Sequence, residues 1–107
     1  PARKHWLKYT LKSNGKIMLD AGAVNALVKK GASLLPSGVI DVTGAFEAGD
    51  CVDIYDSKNN QHIAKGISQY SARDLKRIQG KKSQDITNLL GCCPSKVVVH
   101  RDDMVVV

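Results

Sequence analysis

Apolar positions in the first third of the chain predict one strand followed by one short helix. Residues 16–19 are mostly apolar and follow a turn-forming Asn-Gly pair, which is typical of a strand. Beyond them, apolar residues three and four positions apart define one helical face: Val24, Leu27 and Val28. Asp20 is placed to cap the start of this helix, and Gly31 is placed to end it.

Short apolar runs separated by turn-forming residues fill the middle of the chain and predict further strands. The runs are Ser33–Leu35, Val39–Thr43, Cys51–Asp56 and Ile63–Tyr70. In the third run, Val52 and Ile54 alternate with their neighbours, as in a strand with one buried face. Gly66 inside the fourth run indicates a bulge or the close approach of another backbone. Strands at this spacing favour a small barrel or sandwich.

Helical spacing returns in the last third of the chain. Ser71 and Asp74 have the spacing of a capping box, so a helix is predicted to begin there. Ser83 is expected to cap a second helix, and Gly91 to end it. A strand is expected at 96–100, and a final strand or a tail at 104–107. The whole pattern predicts a mainly β domain with short helices, in the α+β class.

Composition adds a size and a charge to this picture. The 107 residues are 43% hydrophobic and 24% charged, as expected for one globular domain. The net charge of +6 permits contact with polyanions such as RNA but does not establish it. No apolar run is long enough for a membrane-spanning helix. Because the chain begins with Pro1 rather than methionine, we expect it to be a fragment or a processed product.

The cysteines and the absence of phosphate-binding motifs argue against catalysis. Adjacent Cys92 and Cys93 are too close for an unstrained disulfide and lack the spacing that lets two thiolates hold one tetrahedral ion. We expect them to serve in structural packing. Three cysteines without a secretory signal favour the reducing cytoplasm. With no glycine-rich phosphate loop and no nucleophile signature, we expect neither catalytic residues nor a metal site.

Basic residues crowd the first predicted helix of the last third and the turn after it. Within ten positions lie Arg73, Lys76, Arg77, Lys81 and Lys82. The first three share a helical face, and the two lysines precede the expected cap, where free amides would attract a phosphate. Three interpretations remain open at this point: a solvated face, an anion- or RNA-binding patch, and an interdomain contact.

Several segments resemble a PUA domain, a small β module attached to many RNA-modifying enzymes. They are residues 20–23 and 31–39, Phe46, Gly49-Asp50 and Ala64-Lys65-Gly66. The resemblance covers roughly 16–104 and implies a PUA-like pseudo-barrel closed by helices. In other PUA proteins the groove beside the first helix and the last strand contact RNA, which implies that residues 29–34 lie near Arg101. The RNA- or anion-binding candidates are therefore Lys29, Lys30, Ser33, Arg73, Arg77, Lys81, Lys82 and Arg101.

Residues 74–91 and 99–104 are more specific, because they look like the C-terminal PUA domain of bacterial glutamate 5-kinases. Residues 3–7 resemble the junction that follows the kinase domain of that family. The resemblance implies that 1–13 is a basic connector after a missing amino-acid-kinase domain, and that 14–107 is the PUA domain. An RNA-contacting tail and a solvated tail are the alternatives for 1–13. The chain departs from the family at Gly91-Cys92-Cys93-Pro94, where many relatives have an aromatic residue after the glycine.

The family resemblance also implies that catalysis and the accessory role belong to different domains. The parent enzyme would use ATP and magnesium to phosphorylate the side-chain carboxylate of glutamate, the first step of proline biosynthesis. Its catalytic residues would all lie in the missing domain, so this chain would be a non-catalytic accessory domain without a cofactor of its own. The alternative is an RNA-binding module that contacts structured RNA through its basic face. An independent small enzyme has only scattered cysteines and histidines in its favour.

Overall fold

Five strands form one mixed sheet in the computed structural model, which describes residues 12–107. The strands are β1 (Gly15–Leu19), β2 (Val39–Gly44), β3 (Cys51–Asp56), β4 (Gln61–Ile67) and β5 (Met104–Val106). Their order across the sheet is β2-β1-β3-β4-β5. β1 and β3 are parallel, whereas the other neighbouring pairs are antiparallel. The predicted connector at 1–13 lies almost wholly outside the described residues.

Three α-helices accompany the sheet within the described part of the chain. They are α1 (Ala21–Lys30), α2 (Ala72–Ile78) and α3 (Ile86–Leu90). Short 3-10 turns occur at Pro36–Gly38, Ser83–Asp85 and Arg101–Asp103. The mainly β, α+β arrangement that the sequence predicts is confirmed. Among these same residues, no helix has the length and apolar character needed to cross a membrane.

The predicted ends of α1 are confirmed by its hydrogen bonds. The Asp20 carboxylate accepts a hydrogen bond of 2.8 Å from the backbone N–H of Ala23, which satisfies a free donor of the first turn. Gly31 ends the helix in the left-handed conformation, with φ at 63°. Lys29 and Lys30 occupy the last turn, where positive charge suits the helix dipole.

A side-chain cap also starts α2, and the apolar face of this helix packs into the core. The Ser71 hydroxyl accepts a hydrogen bond of 3.2 Å from the Asp74 N–H, as the capping pattern predicts. Leu75 and Ile78 are fully buried. They join side chains from the sheet, α1 and α3 in one hydrophobic cluster. The burial of this face fixes α2 against the sheet and leaves its basic side chains outside.

Gly66 marks a close approach of two backbone segments, as predicted. A Cβ at this position would lie 2.7 Å from Val99 Cγ1 and 2.9 Å from the Asp103 carbonyl oxygen. Glycine is therefore required for β4 to pack beside the segment that leads into β5.

Two predicted strands are wrong. Residues 33–35 and 96–100 form only an isolated antiparallel bridge between Leu34 and Val99. The Leu34 N–H donates to the Val99 carbonyl at 2.9 Å, and the Val98 N–H donates to the Leu34 carbonyl at 2.7 Å. Pairing stops there because Pro36, which has no N–H, starts a 3-10 turn on one side. On the other side, pairing beyond Val99 is prevented by the 3-10 turn that His100 caps.

The predicted role of Ser83 is also wrong. Its hydroxyl donates to the Lys96 carbonyl at 2.8 Å instead of capping a helix. A 3-10 turn precedes α3, and the residue at the cap position, Asp85, is itself in the right-handed helical conformation without a side-chain capping bond. α3 is five residues long and ends at Gly91, as predicted. In the 3-10 turn before it, the N–H groups of Asp85 and Ile86 donate to the carbonyls of Lys82 and Ser83.

Candidate functional site

The exposed basic face of α2 borders a groove of about 710 Å³. The groove is lined by residues 44–47, 71–74, 76 and 77, and we call it the α2 groove. Arg73, Lys76 and Arg77 supply positive charge, as their helical spacing predicts. Glu47 and Asp74 place negative charge on the same groove. The surface is thus of mixed charge with an excess of cations.

Arg77 is exposed, but its side chain also makes a structural contact. Its Nη2 donates a hydrogen bond of 2.6 Å to the carbonyl oxygen of Leu89, in the last turn of α3. The guanidinium therefore links α2 to α3. Arg73 and Lys76 are exposed on the same groove and are the better positions at which to test binding without disturbing this link.

The floor of the α2 groove carries no ring that could stack on a nucleic-acid base. Phe46 belongs to the groove lining, but its side chain is only 1% exposed. A Cβ on Gly15 would overlap the Phe46 ring, which shows how closely the ring packs under β1. The Phe46 carbonyl also accepts a hydrogen bond of 2.9 Å from the Ala72 N–H. Recognition of single-stranded RNA usually adds aromatic stacking to charge, and this ring is committed to the core.

A second basic region lies where the end of α1 meets the C-terminal segment. The Ser33 hydroxyl accepts a hydrogen bond of 2.9 Å from the backbone N–H of Arg101. The prediction that Ser33 lies beside Arg101 is therefore confirmed, whereas the same prediction for Lys29 and Lys30 stays a prediction. Lys29 and Lys30 are exposed in the last turn of α1, three and two residues before Ala32. The Ser33 hydroxyl thus links the segment after α1 to the backbone of the C-terminal segment.

Lys81 and Lys82 form a third region, in the turn between α2 and α3. Both are exposed, and the Lys81 N–H donates to the Ile78 carbonyl at 3.0 Å. The eight candidate residues are thus distributed over the α2 face, the α1 end with Arg101, and this turn. That they bind an anion or RNA stays a prediction.

A cluster on the sheet escaped the sequence analysis. Lys16 Nζ lies 4.2 Å from the centroid of the Tyr55 ring, and the His62 ring centroid lies 5.0 Å from that of Tyr55. His62 Nε2 is 3.1 Å from Asp53 Oδ1. These residues come from β1, β3 and β4 and face each other across the strands. Strand alternation could have placed them on one face, but only the register brings them together.

The cysteines divide into one buried and two exposed thiols. Burial raises the pKa of the Cys51 thiol, which keeps it protonated and unreactive at neutral pH. Cys92 and Cys93 are both exposed and free. The expectation that this pair serves in structural packing is wrong, because the loop after α3 turns both residues toward solvent.

Comparison with known proteins defines the class. The PUA domain family matches residues 15–90, so the chain belongs to the PUA domain family. The structure is similar to a PUA domain from Aeropyrum pernix K1, solved as a tartrate complex, with a TM-score of 0.61 and 24% identity over 81% of this chain and 41% of that one. It also aligns with a chain of an archaeal box H/ACA sRNP complex, with a TM-score of 0.51 and 28% identity over 57% and 19% of the two chains. The PUA fold is confirmed.

Curated relatives narrow the comparison to one kind of enzyme. A glutamate 5-kinase from Salinibacter ruber is 53% identical over 99% of this chain and 29% of its own length. The glutamate 5-kinase of Xanthomonas euvesicatoria is 50% identical over 98% and 30%, and that of Idiomarina loihiensis is 46% identical over 97% and 28%. The chain therefore spans less than a third of the curated relatives it matches. It corresponds to their PUA region, as the resemblance implied.

Proposed function

We propose that this chain acts as the non-catalytic C-terminal PUA accessory domain of a glutamate 5-kinase. The observation that carries the proposal is the extent of the match: glutamate 5-kinases cover 97–99% of the chain at 46–53% identity. A module shared only by fold would match over a shorter stretch and at lower identity, as the sRNP chain does. The preceding amino-acid-kinase domain is then the principal partner.

In this proposal the chemistry belongs to the amino-acid-kinase domain. That domain would bind ATP, magnesium and glutamate, and it would transfer the γ-phosphoryl group to the side-chain carboxylate. Phosphate binding needs a cradle of free backbone amides and a positioned cation, and several candidate groups within residues 12–107 are already engaged. The candidate hydroxyls of Ser33 and Ser83 already bond to backbone, as does the Arg77 guanidinium.

The α2 groove supports a contact with a protein surface more than a contact with RNA. Glu47 and Asp74 would repel a phosphate backbone, whereas a folded protein can offer both signs of charge to a mixed groove. We assign this groove to the contact with the amino-acid-kinase domain. We also place the protein in the cytoplasm, where exposed free thiols such as Cys92 and Cys93 persist.

The experiment that tests the proposed function gives the isolated chain both kinds of ligand. In the first arm it receives ATP, magnesium and glutamate, and we expect ADP formation no greater than in a buffer control. In the second arm it is titrated with a labelled structured RNA at two salt concentrations, with heparin as competitor. We expect weak, salt-sensitive binding that heparin abolishes, because charge without stacking is not selective.

The variant Arg73→Glu/Lys76→Glu identifies the surface in the second arm. Its matched control is Lys58→Glu/Lys96→Glu, which reverses the same number of exposed charges outside the α2 groove. Saturable RNA binding that exceeds heparin binding and is lost only in the groove variant would replace the proposal with an RNA-binding module. Glutamate-dependent ADP formation by the purified chain would equally overturn it.

A further inference from the structure

Cys92 and Cys93 form an accessible pair of neighbouring thiols that the proposed function does not use. Both are exposed and neither is in a disulfide. The third cysteine of the chain, Cys51, is only 4% exposed, and its thiol is held protonated by burial. A thiol reagent that reaches the folded protein therefore meets these two sulfurs first, and it meets them together.

The segment that carries the pair is anchored on both sides. Before it, Gly91 has φ at 82° and its N–H donates to the Thr87 carbonyl at 2.8 Å, which closes α3. After it, Pro94 has a restricted φ, and the Ser95 N–H donates to the Tyr70 hydroxyl at 3.3 Å. Binding a ligand to both sulfurs therefore costs less conformational entropy of the protein than it would on a free chain end.

Tyr70 makes the second anchor firm. Its side chain is only 1% exposed, and its hydroxyl donates back to the Ser95 carbonyl. The Cys93 thiol donates to the same carbonyl, with 3.5 Å between sulfur and oxygen. The sulfur of Cys93 is thereby connected through Ser95 to the hydrophobic core.

The geometry of neighbouring cysteines decides which ligand suits the pair. Their Cα atoms are about 3.8 Å apart along the chain, and a disulfide needs its sulfurs at roughly 2.05 Å with a restricted dihedral, which strains a ring of adjacent residues. A bridging atom bound to both sulfurs lets them stand farther apart. Soft thiolate ligands select soft, thiophilic centres.

The coordination number further limits which metal or metalloid centre the two thiolates can bind. Tetrahedral zinc would need two more protein ligands. Among residues 12–107, no group of three or more histidine, cysteine or acidic side chains could supply them. The site therefore suits a centre that is satisfied by two thiolates and one group of its own.

We propose that Cys92 and Cys93 form a dithiol chelating site for trivalent arsenic, presented as an organic arsenous group R–As=O. Two As–S bonds form, while the As=O bond and two S–H bonds break. The oxygen and the two thiol protons leave as one water molecule. Arsenic stays trivalent throughout, so the reaction needs neither an oxidant nor a reductant.

Phenylarsine oxide is the probe that tests this site. The whole chain is reduced, desalted and incubated with the probe, and the intact mass is measured. We expect one phenylarsenic group per chain, retained against excess 2-mercaptoethanol and released by 1,2-ethanedithiol. Binding through two linked sulfurs exceeds binding through one by about a hundredfold, because the second bond forms at high effective concentration.

Single substitutions separate chelation from simple thiol reactivity. Cys92→Ser and Cys93→Ser should each lose about a hundredfold in affinity and yield the probe to the monothiol. Cys51→Ala is the matched control and should bind as the parent chain does, with circular dichroism confirming that every variant is folded. Equal retention by either single serine variant would overturn the proposal. So would release from the unsubstituted chain by the monothiol alone.

Discussion

Tyr70 connects the buried core to the exposed loop after α3 through its hydroxyl and the backbone of Ser95. Burial raises the pKa of Tyr70 above its ordinary value of 10.0, and it raises the pKa of Cys51 above 9.0. Both groups are neutral in their protonated form. Folding therefore favours the protonated state of each, and part of the stability of the domain depends on keeping these protons.

The sign of this linkage gives a prediction in alkaline solution. The contribution of both groups is fully present below pH 9.0 and is lost as pH rises through their raised folded pKa values. We expect the free energy of unfolding in urea to fall above that pH. The variant Cys51→Ala/Tyr70→Phe should start about 1 kcal/mol or more lower at neutral pH, since it loses a buried hydrogen bond. Its stability should then fall less steeply, whereas a parallel decline would contradict the assignment.

Gly66 and Gly22 give a matched pair of glycine-to-alanine substitutions. Gly66→Ala places a methyl group 2.7 Å from Val99 Cγ1 and 2.9 Å from the Asp103 carbonyl. We expect it to lower the free energy of unfolding by about 1–3 kcal/mol, the usual cost of overpacking. Gly22→Ala meets nothing closer than 3.5 Å and lies in α1, so it should be neutral or stabilising by up to about 1 kcal/mol. Denaturant unfolding measures both, and equal effects would contradict the packing described.

At the scale of elements, α1 depends on its cap. Asp20→Ala removes the acceptor of the Ala23 N–H and should cost about 1 kcal/mol. Asn25→Ala, on the exposed side of the same helix, is the control and should change stability by a few tenths of that amount. Thermal unfolding of the two variants compares them directly. A loss in the control as large as in the cap variant would show that the cap is not what holds the helix start.

The same caps explain which elements the sequence predicts well. Asp20, Gly31 and Ser71 act on residues within a few positions, so the patterns around them identify α1 and α2. Residues 33–35 and 96–100 have strand-like composition, but their pairing depends on partners more than sixty positions away. Only the fold shows that Pro36 and the turn after His100 limit this pairing to one bridge.

The candidate site likewise has features that the local sequence predicts and features that only the fold shows. Helical spacing predicts that Arg73, Lys76 and Arg77 share a face, and the structure places them on one groove. The bond from Arg77 to Leu89 spans 12 positions and joins two helices, so no local pattern signals it. The exposure of Cys92 and Cys93 likewise depends on how the loop after α3 runs, because cysteine is among the residue types most often buried.

Within residues 12–107, the candidate basic side chains lie on separate surfaces rather than on one face. If the α2 groove contacts the amino-acid-kinase domain, Arg73→Glu/Lys76→Glu should lower the unfolding temperature of this domain in the parent enzyme. In the isolated chain the same variant should have little effect, because both side chains are exposed. The control variant Lys58→Glu/Lys96→Glu should change the unfolding temperature equally in the isolated chain and in the parent enzyme. An equal shift with and without the kinase domain would exclude the contact.

Glutamate-dependent ADP formation should be measured for a glutamate 5-kinase that carries this domain and for the same kinase without it. If the PUA domain is an accessory without catalytic groups, the shortened enzyme should keep the chemical step, with kcat within about an order of magnitude of the full enzyme. A folded kinase domain, verified by circular dichroism, that loses turnover altogether would contradict the account. In that case a residue of this chain would belong to the active site.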